Sequence, residues 1–114
     1  FGKKINKFQG VSFKLADMEV QIQAARQLIY HAAWLKDNNK DVIKDAAIAK
    51  LYSSEAAMNI TTEAIQVLGG YGYIKEYNVE RFFRDAKILT IGEGTSEVQK
   101  IVIAREILKK YTNK

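Results

Sequence analysis

The sequence predicts an all-α protein, an antiparallel bundle of about four helices, and three observations carry that prediction. The 114 residues contain no proline, so nothing forces an early stop in a helix. The seven glycines gather mainly in two places and leave long stretches unbroken. Apolar residues recur at helical spacing, and no segment shows the clear two-residue alternation of a half-buried strand.

The first helix is read from Val11, Leu15, Met18, Ile22, Ala25, Ile29 and Ala32, whose alternating steps of four and three place them on one face. It is predicted from near Ser12 to near Lys36, because Asp37-Asn38-Asn39 is a turn signal. A second helix is predicted from about Val42 to Leu68. Its alanines (Ala46, Ala47, Ala49, Ala56, Ala57) let neighbours approach closely, which puts it in the middle of the bundle. Gly69-Gly70 stops it by supplying a left-handed cap that residues with a Cβ resist. Val79, Phe82, Phe83 and Ala86 mark a short third helix with Asn78 as N-cap. The last helix opens on Ser96-x-x-Gln99, which fits a capping box, and Val98, Ile101, Val102 and Leu108 form its predicted buried stripe. Short connections make neighbouring helices antiparallel.

The length allows one domain, residues 1–114, with a modest core. The absence of cysteine excludes disulfides and thiolate metal sites, and no metal motif is present. No apolar run approaches the roughly 20 residues that cross a bilayer. Phe1-Gly2-Lys3-Lys4 leads into a polar stretch unlike a signal peptide, and the missing initiator Met suggests a piece of a longer chain. The net charge is +5. Its cations are spread among acids, with short clusters only at Lys3-Lys4 and Lys109-Lys110, as on solvated helix faces. The composition is compatible with a bacterial cytoplasm.

Chemistry has few places to sit. His31, the sole histidine, falls inside the first helix without a second ligand or a nucleophile partner, and reads as structural or solvent-facing. Gly69-Gly70-Tyr71-Gly72-Tyr73 follows a helix rather than a strand, which rules out the dinucleotide and P-loop readings. It reads as a helix stop, with the alternative that bare backbone approaches a phosphate or a flat ring. Glu93 lies between Gly92 and Gly94, just before the last helix. It serves either the helix macrodipole or a ligand, and flanking glycines are a poor choice for the first purpose. The amides of Thr95, Ser96 and Glu97 are expected to be able to bind an anion there.

Four segments together resemble the acyl-CoA dehydrogenase family. They are Gln66-Val67-Leu68-Gly69-Gly70-Tyr71-Gly72-Tyr73, Val79-Glu80-Arg81-Phe82-Phe83-Arg84-Asp85-Ala86-Lys87-Ile88, Glu93-Gly94-Thr95-Ser96-Glu97-Val98-Gln99 and Ile103-Ala104-Arg105-Glu106. Their order and spacing match the family's C-terminal helical domain, and Phe1-Gly2 with Phe8-Gln9 resembles its start, so the likeness covers essentially the whole chain. The resemblance implies FAD-dependent oxidation of an acyl-CoA to the trans-2-enoyl-CoA. Glu93 would take the α-proton from within hydrogen-bond reach, in a site desolvated by flavin and acyl chain. The backbone N–H of Glu93 and a flavin hydroxyl would polarise the thioester carbonyl. Gly94 matches a substrate-contacting position. Phe1, Gln9, Gln66, Gly70, Thr95, Ser96 and Glu97 match cofactor-contacting ones, with Gln66 and Gly70 reaching the flavin of a neighbouring subunit.

The resemblance further implies a homotetramer that passes electrons to an electron-transfer flavoprotein, in a full-length enzyme with an N-terminal helical domain and a central β-domain. Lacking both, the chain by itself is expected to have no dehydrogenase activity and to bind FAD weakly or not at all. Gly92 stands where many short- and medium-chain members carry tyrosine, which leaves acyl-chain preference open, and Asn78 stands where proline is common. Glutamate at 93 argues against the isovaleryl and long-chain branches, whose base lies elsewhere. The competing reading is a helical binding module of the same fold without dehydrogenase activity, with duplex DNA as its ligand.

Overall fold

The computed structural model describes residues 2–112. After one 3₁₀ turn at Ile5–Lys7 come α1 (Gln9–Asp37), α2 (Ile43–Leu68), the single turn α3 (Gly70–Tyr73), α4 (Val79–Leu89) and α5 (Ser96–Thr112). The described residues contain no strand. The all-α prediction therefore holds.

Boundaries moved where backbone rather than side chains did the capping. α1 starts at Gln9, three residues before the predicted Ser12, because the extended Phe8 turns its carbonyl onto the N–H groups of Val11 and Ser12. The Ser12 hydroxyl donates back to the Gln9 carbonyl instead of capping. At the other end Asn39 takes a left-handed φ of 52°, and the Lys40 N–H reaches the Leu35 carbonyl at 2.9 Å. That closure is a Schellman-type stop, built from the predicted turn residues. Asp41 accepts from the Ile43 N–H at 3.1 Å and opens α2.

Helix α2 is the shared centre, as its alanines suggested. A two-residue step turns a helix by about 200°, so Ala47 and Ser54 lie on one face of α2 and Ala49 and Ala56 on the opposite one. All four are buried, and small residues on both faces let a helix approach from either side. On one side α1 runs antiparallel to α2, as the cross-links Lys14–Glu63, Gln21–Asn59 (2.9 Å) and His31–Asp45 (3.7 Å) show. On the other side α4 and α5 follow one another along α2, also antiparallel to it. Lys100 lies 3.8 Å from Glu55, while Glu106 and Lys110 share a surface pocket with Asp41, Lys44 and Asp45 at the start of α2. α1 packs against neither α4 nor α5.

The result is a slab three helices wide, open at both faces. It measures 65 × 26 × 24 Å with a radius of gyration of 17.8 Å, against roughly 13 Å for a compact chain of this size. The buried apolar residues among those described are alanines, and no large side chain is fully enclosed. The predicted stripe of α5 is corrected here. Val98, Ile101 and Leu108 are exposed, and the face turned to α2 is Gln99, Val102, Ile103 and Glu106. α5 is apolar on two sides, and periodicity does not tell which of them finds a partner. Glu106 is held there at 8% side-chain exposure by Lys109 (2.7 Å) and Arg105 (3.2 Å).

Candidate active-site loop

Residues 90–95 join α4 to α5 halfway along α2. The loop is closed by its own backbone. The Gly92 N–H donates to the Ile88 carbonyl at 2.7 Å, and the Ser96 N–H returns to the Thr90 carbonyl at 3.1 Å. Between them Glu93 has φ 55° and Gly94 has φ 91°. For glutamate the left-handed region costs roughly 1–2 kcal/mol, and the chain would avoid that cost with a glycine. Gly94 is favoured by its φ, which residues with a Cβ rarely adopt, and a Cβ there would also push the end of the Gln99 side chain off the loop. Gly92 is not so constrained. A Cβ there would meet nothing nearer than the Ile88 carbonyl at 3.4 Å.

Two long side chains from different helices hold the loop. Lys50 of α2 donates from Nζ to the Gly94 carbonyl at 2.5 Å. Gln99 of α5 donates from Nε2 to the carbonyls of Gly94 (3.2 Å) and Glu93 (3.3 Å). The expected capping box is thereby corrected. Ser96 is the first helical residue, and Thr95 is the cap, its Oγ1 accepting from the Val98 N–H at 3.3 Å. Gln99 is turned away from the cap onto the loop carbonyls.

Among the described residues the Glu93 carboxylate is exposed and makes no hydrogen bond or ion pair. The backbone N–H groups of Glu93, Gly94 and Thr95 likewise find no acceptor among the described residues. The expected anion cradle thus shifts toward the loop, because Ser96 donates to Thr90 and Val98 to Thr95. Glu97 fills its own place: its backbone N–H, then the Thr95 hydroxyl, hold its carboxyl below the ordinary value of 4.5. A run of unpaired N–H groups beside an unpaired carboxylate can stabilise negative charge on a carbonyl while a proton leaves a neighbouring atom.

The structure separates the predicted site residues into two groups. Glu93, Gly94, Thr95, Ser96 and Glu97 lie together at this loop. Gln9, Gln66 and Gly70 lie together at the far end of the slab, because α1 and α2 are antiparallel and Lys14 meets Glu63. At about 1.5 Å per residue along α2, Gln66 is roughly 24 Å from Lys50, so the two groups do not face one flavin ring. Phe1 lies outside the described residues. Of the two adjacent glycines at the far end, Gly69 has positive φ, 58°, and Gly70 begins α3. A Cβ at either would meet nothing within 4 Å. Gly70 is therefore required by nothing in the chain itself, and the exposed Gln9 and Gln66 leave their amides free beside it. That surface suits a flat, polar ring system. Lys50 was missed in the sequence, where a lysine 44 positions before the loop carbonyl it binds carries no local signal.

Residues 1–108 match the acyl-CoA dehydrogenase C-terminal domain family. A probable acyl-CoA dehydrogenase of Bacillus subtilis is 57% identical over 96% of this chain and 29% of that protein. A subunit of the caffeyl-CoA reductase–Etf complex of Acetobacterium woodii is 52% identical over the same shares. The butyryl-CoA dehydrogenase structure from Megasphaera elsdenii superposes with a TM-score of 0.93 at 56% identity, over 95% of this chain and 28% of that one. The chain spans less than a third of the length of these relatives. It belongs to the acyl-CoA dehydrogenase family and corresponds to that family's C-terminal helical domain.

Proposed function

We propose that the chain is the C-terminal domain of a longer FAD-dependent acyl-CoA dehydrogenase, and that Glu93 is its catalytic base. The observation that carries this reading is the Glu93 carboxylate, unpaired and exposed on a left-handed backbone that two other helices hold in place. A group serving only the fold would be paired or would be glycine. Glu93 would remove the proton α to the thioester carbonyl. The charge developing on the carbonyl oxygen would be met by the Glu93 N–H, which has no acceptor among the described residues. FAD, when bound, accepts the hydride from the β-carbon. Gln9, Gln66 and Gly70 would contact a flavin at the far end, and their distance from Glu93 supports assigning that flavin to a neighbouring subunit.

A short acyl-CoA as substrate, an Etf-type electron acceptor and a cytoplasmic location belong to the same proposal. The first two are supported by what the relatives from M. elsdenii and A. woodii are named for. No helix among the described residues is long and apolar enough to cross a membrane. The homotetramer and the two further domains would cover the open faces, where Trp34, Phe82, Ile101 and Leu108 are each at least half exposed. Pairing of Lys14, Arg81, Lys100, Arg105 and Lys109 with carboxylates lessens the positive charge open to the DNA-binding alternative. The test is the full-length enzyme assayed on acyl-CoA substrates of increasing length, with Glu93→Gln as the control. Turnover should fall about 10²–10⁴-fold in the variant. Near-normal turnover with glutamine at 93 would refute the assignment.

A further inference from the structure

Lys50 has an unusual employment. It sits halfway along α2, half-buried, and among the described residues its ammonium has no carboxylate within salt-bridge reach. Its partner is a backbone oxygen, the Gly94 carbonyl at 2.5 Å. A lysine that only solubilised the surface would extend into water, and one that only tied helices together would meet one of the acids on them. This one crosses from the central helix to the Gly94–Thr95 peptide, the second after Glu93.

That peptide is the pivot of the loop. Glu93 and Gly94 both have positive φ, and the torsions at these two residues set how the Glu93 side chain and the two carbonyls are turned relative to one another. Gln99 bonds both oxygens, at 3.3 and 3.2 Å, but it rides on α5, the continuation of the same loop. It would follow a displacement of that arm. Lys50 comes from the other side of the packing interface and ties the loop to the most enclosed helix of the molecule. Without Lys50, Gln99 still shapes the turn but no longer fixes it relative to α2.

We propose that Lys50 is a positioning residue for the proton-abstraction step. It holds the Gly94–Thr95 peptide relative to α2, and through the adjoining torsions the aim of the Glu93 carboxylate and of the N–H groups at 93–95. Gln99, which also bonds the Glu93 carbonyl, is the second member of the clamp. This rests on the reading of Glu93 as the base. The clamp acts through geometry, so its loss slows the chemical step and leaves binding of the acyl-CoA nearly unchanged. A misplacement of about 1 Å at the reacting group costs roughly 10²-fold in rate.

The experiment uses the full-length flavoenzyme, with rates expressed per bound flavin and butyryl-CoA as the probe substrate. Lys50→Met keeps the length of the stem and removes the donor. It should lower kcat about 10²-fold with KM changed less than about threefold, and Lys50→Arg, which keeps a cationic donor, should recover most of the loss. In the flavin-free protein, Lys50→Met should speed hydrogen exchange at the Ser96 amide, which closes the loop onto Thr90. Glu93→Gln runs beside them. If it abolishes turnover while Lys50→Met leaves both kcat and Ser96 exchange unchanged, the clamp is wrong and the base stands. If Glu93→Gln remains active, the base reading has failed and the clamp falls with it. Should Lys50→Met not fold, Gln99→Leu decides, and an unaltered kcat with unaltered Ser96 exchange would overturn the proposal.

Discussion

Two glycine-bearing turns interrupt the helices, and they use glycine for different ends. At residues 69–72 the residue with positive φ is itself a glycine, Gly69, and a second glycine, Gly72, is buried where α3 presses on α2. A Cβ on Gly72 would stand 2.7 Å from the Ile65 carbonyl and 2.8 Å from its Cα. Glycine there satisfies conformation and packing, as the fold alone would dictate. At residues 92–94 glycine occupies Gly92, where conformation does not demand it, while glutamate occupies the left-handed position that does. The first turn is built for stability. The second keeps strain beneath an exposed carboxylate, and hydrogen bonds from Lys50 and Gln99 hold the strained loop.

The largest expected effect on stability falls at the first turn. Gly72→Ala should cost about 2–3 kcal/mol, since backbone rather than a flexible side chain must yield. Chemical denaturation of the parent protein measures it, and a loss below about 0.5 kcal/mol would mean that α3 can lift off α2 without penalty. The sign should reverse at the second turn. Glu93→Gly is expected to raise stability by up to about 1 kcal/mol while abolishing turnover, because glycine accepts φ 55° without a Cβ clash. If the melting temperature falls instead, the carboxylate contributes to folding and the contrast between the turns weakens.

The smallest effect concerns another glutamate of the same arm. Glu106 is paired and enclosed where Glu93 is neither, and the hydrogen bond from Lys109, with help from Arg105, holds its carboxyl below the ordinary 4.5. Its folded-state value is depressed, so its contribution to stability is present above 4.5 and is lost as pH falls through the folded value. Glu106→Gln should therefore flatten the acid limb of a plot of melting temperature against pH below about 4.5. An unchanged limb would show that other carboxylates govern acid unfolding.

Much of this was legible without coordinates because it depends on near neighbours in the chain. The turn at Asp37-Asn38-Asn39, the helix stop at Gly69 and the break before α5 all follow from residues within one turn of one another. The alanines of α2 announced a central helix because small side chains serve no other helix position so well. Asn78 stands at the predicted cap of α4, yet its side chain makes no capping bond, since its backbone is already helical. Glu93 stood out because its flanking glycines made little sense for a helix start, and the surrounding motifs supplied the family.

Local pattern could not choose between the two apolar sides of α5. That choice depends on which side meets α2, a contact between segments some fifty residues apart. The same limit hid Lys50, whose role exists only where α2 passes beneath the loop. By itself, then, the sequence determined the four long helices, their breaks and the family, and singled out Glu93 as the candidate base, since hydrophobic period, backbone propensity and motif are properties of short stretches. Only the tertiary structure decided that Gln9, Gln66 and Gly70 gather at the far end of α2, away from the loop that Lys50 reaches at its middle. It alone placed positive φ on Glu93 and brought Lys50 to Gly94, because these are consequences of how the helices pack.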